Sequence, residues 1–206
     1  MTWDILNIIG TIAFAISGVL IAVEEDYDIF GIYFLGFTTA FGGGLVRNIL
    51  IGIPIENIWL QDYLFEVAFL AITLVCLLPK KWISNWKNCA VFFDAIGLAA
   101  FAIQGAKYAV SIDAPLIAVI IAASMTGAGG GMIRDIFAGR KPMIFHSGIY
   151  ALWAVLAGLA IGLDLIRGPY ATFSLLIVIV ILRILSVYFD WNLPRNINIK
   201  RSIDKK

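Results

Sequence analysis

Residues 41–48 read Phe41-Gly42-Gly43-Gly44-Leu45-Val46-Arg47-Asn48, and residues 128–135 read Ala128-Gly129-Gly130-Gly131-Met132-Ile133-Arg134-Asp135. The two stretches stand 87 positions apart, and the match continues outward from them without a gap. Ile9-Gly10 falls on Ile96-Gly97, and Ala13-Phe14-Ala15-Ile16 falls on Ala100-Phe101-Ala102-Ile103. Gly18 meets Gly105, Ala22-Val23 meet Ala109-Val110, Thr39 meets Thr126 and Gly52 meets Gly139. Apolar helices resemble one another by chance because their alphabet is small. Three superposed glycines followed by a superposed arginine do not arise that way. The chain reads as an internal duplication.

Its medium follows from composition. Of 206 residues, 61% are hydrophobic and only 14% charged, whereas a soluble domain is about a quarter charged. Too little charge is present to cover a water-facing surface. The same values exclude disorder, and no basic run is long enough to grip nucleic acid. The net charge of +1 points to no partner. Met1-Thr2-Trp3-Asp4 lacks a basic n-region and no small-residue cleavage site closes the first apolar run, so that run reads as a permanent span rather than a signal peptide.

A span needs about 20 apolar residues. Seven candidates are expected, near 5–23, 29–52, 62–78, 89–110, 115–138, 147–163 and 170–189, the third and sixth being short. Glu24-Glu25-Asp26, Pro79-Lys80-Lys81, Arg140-Lys141-Pro142 and Arg167-Gly168-Pro169 punctuate them. The runs are continuous rather than alternating, which argues against a β-barrel. The expected fold is therefore all-α integral membrane: one membrane domain over 1–206, with repeat one about 3–79, repeat two about 89–165, an extra helix about 170–189 and a basic tail 190–206. Three spans per copy invert the second copy relative to the first, a design of proteins that move solutes near the membrane midplane.

Seven spans place the termini on opposite sides. Lys80, Lys81, Lys87, Arg134, Arg140, Lys141, Arg195, Lys200, Arg201, Lys205 and Lys206 fall on the C-terminal side, against Arg47, Lys107 and Arg167 on the other. Basic loop residues stay cytoplasmic. The N-terminus is expected outside and the C-terminus inside, in the cell membrane.

Three adjacent glycines weaken a helix by about 1 kcal/mol each relative to alanine. Gly42, Gly43, Gly44 and Gly129, Gly130, Gly131, with Thr39 and Thr126 one turn earlier, are expected to break or kink the second and fifth spans beside a cavity. Close helix packing is the alternative. Soluble readings fail, since neither triplet forms a dinucleotide fingerprint or a P-loop, and neither resembles the potassium-channel filter. Arg47 and Arg134 follow their triplets by three residues. Intramembrane arginine faces a cavity or a partner, and Glu66, Asp94 and Asp135 are the candidate partners. The alternative is snorkelling to the interface, which is also the expectation, beside a structural role, for Arg183 and Lys107.

One histidine, His146, and two cysteines, Cys76 and Cys89, supply no catalytic set, metal cluster or disulfide framework. No enzyme, cofactor or fixed metal is expected. Trp82, Trp86 and Trp191 suit the aromatic belt. Ala154, Gly158 and Gly162 form a smooth stripe for packing within the protomer or against another.

The paired Gly-Gly-Gly-x-x-Arg motifs, in a chain of this length and span count, resemble the prokaryotic trimeric intracellular cation channel family over nearly the whole sequence. That resemblance implies a homotrimer with a pore in each protomer, conducting monovalent cations, chiefly potassium, through helices kinked at the glycines. The motifs differ at Asn48 against Asp135, so their roles need not be equal. Glycine uptake is attached to similar bacterial sequences, and a secondary transporter of such a zwitterion also suits inverted repeats. There an arginine would bind the carboxylate bidentately. The expected partners are potassium or another monovalent cation, membrane lipid and two further copies of the chain, with no nucleic acid.

Overall fold

The computed structural model describes residues 2–78, 87–146 and 149–193. They form α1 (Thr2–Glu24), α2 (Ile29–Leu50), a 3-10 segment (Ile55–Gln61), α3 (Asp62–Cys76), α4 (Lys87–Ser111), α5 (Leu116–Phe137), the short α6 (Met143–His146), α7 (Tyr150–Gly162) and α8 (Gly168–Tyr188). Six helical stretches are long and apolar enough to cross a membrane. The sixth expected span, 147–163, differs: its helix α7 has 13 residues, about 20 Å at 1.5 Å per residue, short of a 30 Å hydrocarbon layer. Pro79, Lys80, Lys81, Trp82, Trp86 and the basic tail from residue 194 lie outside the described residues, as does the His146 side chain.

Local chemistry sets the helix ends. Asp28 caps α2 by accepting a hydrogen bond from the Gly31 N–H at 2.8 Å, satisfying one of the amides that a helix start leaves open. Pro169 sits in the first turn of α8, where its missing N–H costs nothing. Turns related by the 87-residue offset have the same conformation. Asp26 and Asp113 both have φ of 54°, and Gly52 and Gly139 have φ of 72° and 69°.

The central pair is α1 and α4. About 72% of each span is buried inside the bundle, against 22% for α8. Phe14 and Phe101, an offset pair, pack with ring centroids 5.3 Å apart and planes tilted by 56°. The small residues Gly10 and Gly97 admit these rings, since a Cβ at Gly97 would stand 2.0 Å from the Phe14 ring. Apolar residues such as Leu70 and Leu74 of α3, and Ile177 and Ile181 of α8, are exposed. That is the arrangement expected where lipid, not water, is the outer solvent.

The glycine triplets do not break their helices. Both α2 and α5 run as single α-helices through them. A Cβ at Gly43 would lie 2.3 Å from the Thr126 carbonyl oxygen, and one at Gly130 would lie 2.2 Å from that of Thr39. The triplets let two backbones touch, the close packing that small residues allow, and the helices continue where a break was one expectation. Thr39 and Thr126 turn their hydroxyls back onto the carbonyls of Leu35 and Ala122, both at 2.6 Å. The α7 stripe likewise packs within the protomer: Gly158 faces Ile120 and Ala123, and Gly162 faces Leu116.

Candidate functional site

Two buried arginines organise the polar interior. Arg134 is 1% exposed and Arg47 7% exposed, so neither snorkels to an interface. On α1, the residues that approach the two sites are Asn7 and Ser17. Ten residues of helix, about 15 Å, separate them. The α2–α5 glycine crossing lies between.

At Arg134, Nε and Nη2 donate to Asp135 Oδ1 at 2.9 and 2.7 Å. Nη1 donates to Ser17 Oγ at 2.7 Å and to Asp94 Oδ1 at 2.9 Å. The Tyr150 hydroxyl also donates to Asp94 Oδ1, at 3.3 Å, and the Met143 N–H donates to Asp135 Oδ2 at 2.9 Å. Arg183 lies over the Tyr150 ring at 4.5 Å and is 2% exposed. It belongs to this cluster rather than to the interface. Two arginines and two aspartates therefore share one buried volume with no net formal charge. Gly131 makes room for it, since a Cβ there would lie 2.9 Å from the Tyr150 hydroxyl and 3.1 Å from Asp94 Oδ1. Asp94 Oδ2 and Arg183 Nε are buried without a hydrogen-bond partner.

Arg47 has the same framework with different chemistry. Nε and Nη2 donate to Asn48 Oδ1 at 3.0 and 2.8 Å, and Nη1 reaches Gln104 Oε1 at 3.5 Å. Gln104 Nε2 donates to Asn7 Oδ1, and the Tyr108 ring covers the guanidinium at 4.6 Å. By the 87-residue offset Asn7 stands for Asp94, Asn48 for Asp135 and Gln104 for Ser17. Each carboxylate of one site is an amide in the other. Glu66, the expected partner of Arg47, is exposed on α3 instead, and Arg47 forms no ion pair among the described residues.

A cavity adjoins each arginine. One, of about 140 Å³, is lined by Arg47, Asn7, Asn48, Gln104, Phe101 and Thr126. The other is lined by Arg134, Asp135, Glu24, Arg140 and Lys141. Arg140 there pairs with Glu24 at 3.0 Å and with Glu25. Lys107 bonds Thr172 Oγ1 of α8 at 2.5 Å, a structural contact. The sequence reading brought Asp94 and Asp135 correctly to Arg134. It missed Asn7, Ser17, Gln104, Tyr108 and Tyr150. The repeat held a signal for the first three: once Asp94 is assigned to Arg134, the offset points to Asn7 beside Arg47.

The fold is that of a multi-pass helical membrane protein in which each of two buried arginines lines a cavity. The chain belongs to the family whose model is described as Glycine transporter, which matches residues 4–80 and 91–163. A UPF0126 membrane protein of Bacillus subtilis, YvgT, is 52% identical over 194 residues, 94% of this chain and 96% of that protein. The UPF0126 inner membrane protein YadS of Escherichia coli is 35% identical over 195 residues, 91% and 92% of the two chains. A solved TRIC cation channel, described for the structural basis of its conductance, shares 38% identity with a TM-score of 0.80, covering 95% of this chain and 98% of its own. The TRIC trimeric intracellular cation channel orthologue from Rhodobacter sphaeroides gives 26% identity and a TM-score of 0.76, over 92% and 98%. The resemblance read from the glycine motifs is thus to the right family, and these solved relatives are channels rather than enzymes.

Proposed function

We propose that the chain is a passive channel for monovalent cations, chiefly potassium, working as a homotrimer with one pathway per protomer. The observation that carries this reading is the match over nearly the full length of both chains to a TRIC cation channel. In this reading the pathway joins the two cavities past the α2–α5 contact, and the touching glycines Gly43, Gly129 and Gly130 form its closed point. Permeation requires those helices to slide or separate. The charge-balanced Arg134 cluster leaves little net barrier to a cation. The two copies are inserted in opposite senses, which agrees with the placement of the arginine sites about 15 Å apart along α1.

A second reading, uptake of a small zwitterion such as glycine, is favoured by Arg47, whose guanidinium has no carboxylate partner among the described residues and lines a cavity. Purified protein in liposomes separates the two. Under an imposed potassium gradient the channel reading expects a potassium diffusion potential to develop without glycine, and no accumulation of labelled glycine. Glycine uptake without potassium current overturns it.

The orientation is part of the same proposal, with the N-terminus outside and the C-terminus cytoplasmic. With Cys76 and Cys89 replaced, an impermeant thiol reagent applied outside intact cells should label a cysteine at Asp4 and spare one at Lys200. The reverse pattern rejects the orientation.

A further inference from the structure

The two arginine sites differ in one respect that their shared framework makes measurable. A guanidinium carries five N–H donors. Arg134 makes four hydrogen bonds, two of them from Nη1, to Ser17 and to Asp94. Arg47 makes three, and its Nη1 has only the long contact to Gln104. Among the described residues, the donor that the Asp94 carboxylate occupies on Arg134 has no partner on Arg47, where Asn7 Oδ1 accepts from Gln104 instead. One N–H on each terminal nitrogen of Arg47 is left open.

The charge count points the same way. The Arg134 cluster is neutral, whereas Arg47, at 7% exposure, has no balancing carboxylate among the described residues. The Tyr108 ring offers quadrupole attraction but no negative charge. A buried charge without a partner is costly, and here a cavity of about 140 Å³ adjoins it, lined by the amides of Asn7, Asn48, Asn57, Gln61 and Gln104. Amides donate to an anion and bring no competing charge. Gly44 opens this space, since a Cβ there would meet only Arg47 Nη2, at 4.0 Å. Its counterpart Gly131 is filled by the Asp94–Tyr150 pair.

We propose that the cavity beside Arg47 binds a small free carboxylate anion, which takes on Arg47 the place that the Asp94 carboxylate takes on Arg134. Asp94 holds Arg134 through Nη1 alone; a free carboxylate on Arg47 takes that Nη1 donor and can add the open N–H of Nη2, a planar bidentate pair. This site stands on the cavity and its donors, and holds whether the pathway carries cations or a zwitterion.

The test is thermal unfolding of the purified full-length protein in detergent, titrated with sodium acetate or sodium chloride at constant ionic strength. Asn48→Asp builds into this site a carboxylate that its twin already holds, and Arg47→Gln removes the charge. Acetate is expected to raise the wild-type midpoint saturably, with chloride at least tenfold weaker. Both variants are expected to lose the response or weaken it by tenfold or more. If Asn48→Asp does not assemble, Arg47→Gln decides alone. No saturable response in the wild type, an equal response to chloride, or an undiminished response in a well-assembled variant overturns the assignment. Liposome flux is a separate readout, so loss of potassium current with acetate binding intact refutes the channel and leaves this site standing.

Discussion

Replacing Gly43 or Gly130 with alanine is expected to force α2 and α5 apart and destabilise the protein. The added methyl at Gly43 would sit 2.3 Å from a backbone oxygen of Thr126, and the one at Gly130 would sit 2.2 Å from that of Thr39. Backbone in a packed helix cannot swing aside as a long side chain does. Overpacking of this kind costs about 1–3 kcal/mol per site, more than the roughly 1 kcal/mol that alanine returns in helix propensity. Gly44→Ala is the control, because its Cβ would meet nothing closer than Arg47 Nη2 at 4.0 Å. It should leave stability unchanged or raise it slightly. Unfolding of the purified proteins in a graded mixture of mild and denaturing detergent reads the difference. Equal behaviour of Gly43→Ala and Gly44→Ala would show that the crossing is not the tight contact described. If the contact is also the closed point of a pathway, a well-assembled Gly130→Ala protein should pass potassium at an altered rate.

Neutralising the two arginines should have very different consequences. Arg134→Gln leaves Asp94 and Asp135 buried with no counter-charge except Arg183, which stacks on Tyr150 rather than bonding either carboxylate. Breaking a buried pair in this way costs about 3–5 kcal/mol. Arg47→Gln strands no carboxylate, since its partners Asn48 and Gln104 are neutral amides. It should shift stability by less than about 1 kcal/mol, the scale of an ordinary hydrogen bond. Adding Asp94→Asn to Arg134→Gln restores the neutral pattern already present around Arg47 and should recover part of the loss. The same detergent unfolding assay, with size-exclusion profiles as the assembly control, measures all three. Similar losses for Arg47→Gln and Arg134→Gln, or no recovery in the double variant, would refute the asymmetry.

The sequence alone determined the solvent, the helical class and the duplication. These depend on quantities that are additive along the chain: apolar run length, charge density and a fixed 87-residue offset. It also placed Asp94 and Asp135 with Arg134, because adjacency and span ends constrain depth. What it could not decide was which way side chains face. Glu66 shares a side of the membrane with Arg47 in the linear reading, yet α3 turns it outward. The glycine triplets were ambiguous for the same reason. Their intrinsic cost argues for a broken helix, and only the partner backbone, Thr126 against Gly43 and Thr39 against Gly130, supplies the close packing that keeps the helix whole. The amide-for-carboxylate exchange was present as letters at Asn7 and Asn48. It became a difference between two sites only when tertiary packing brought α1, α2, α4 and α5 around each arginine, because charge compensation depends on distances of about 3 Å that no spacing along one chain encodes.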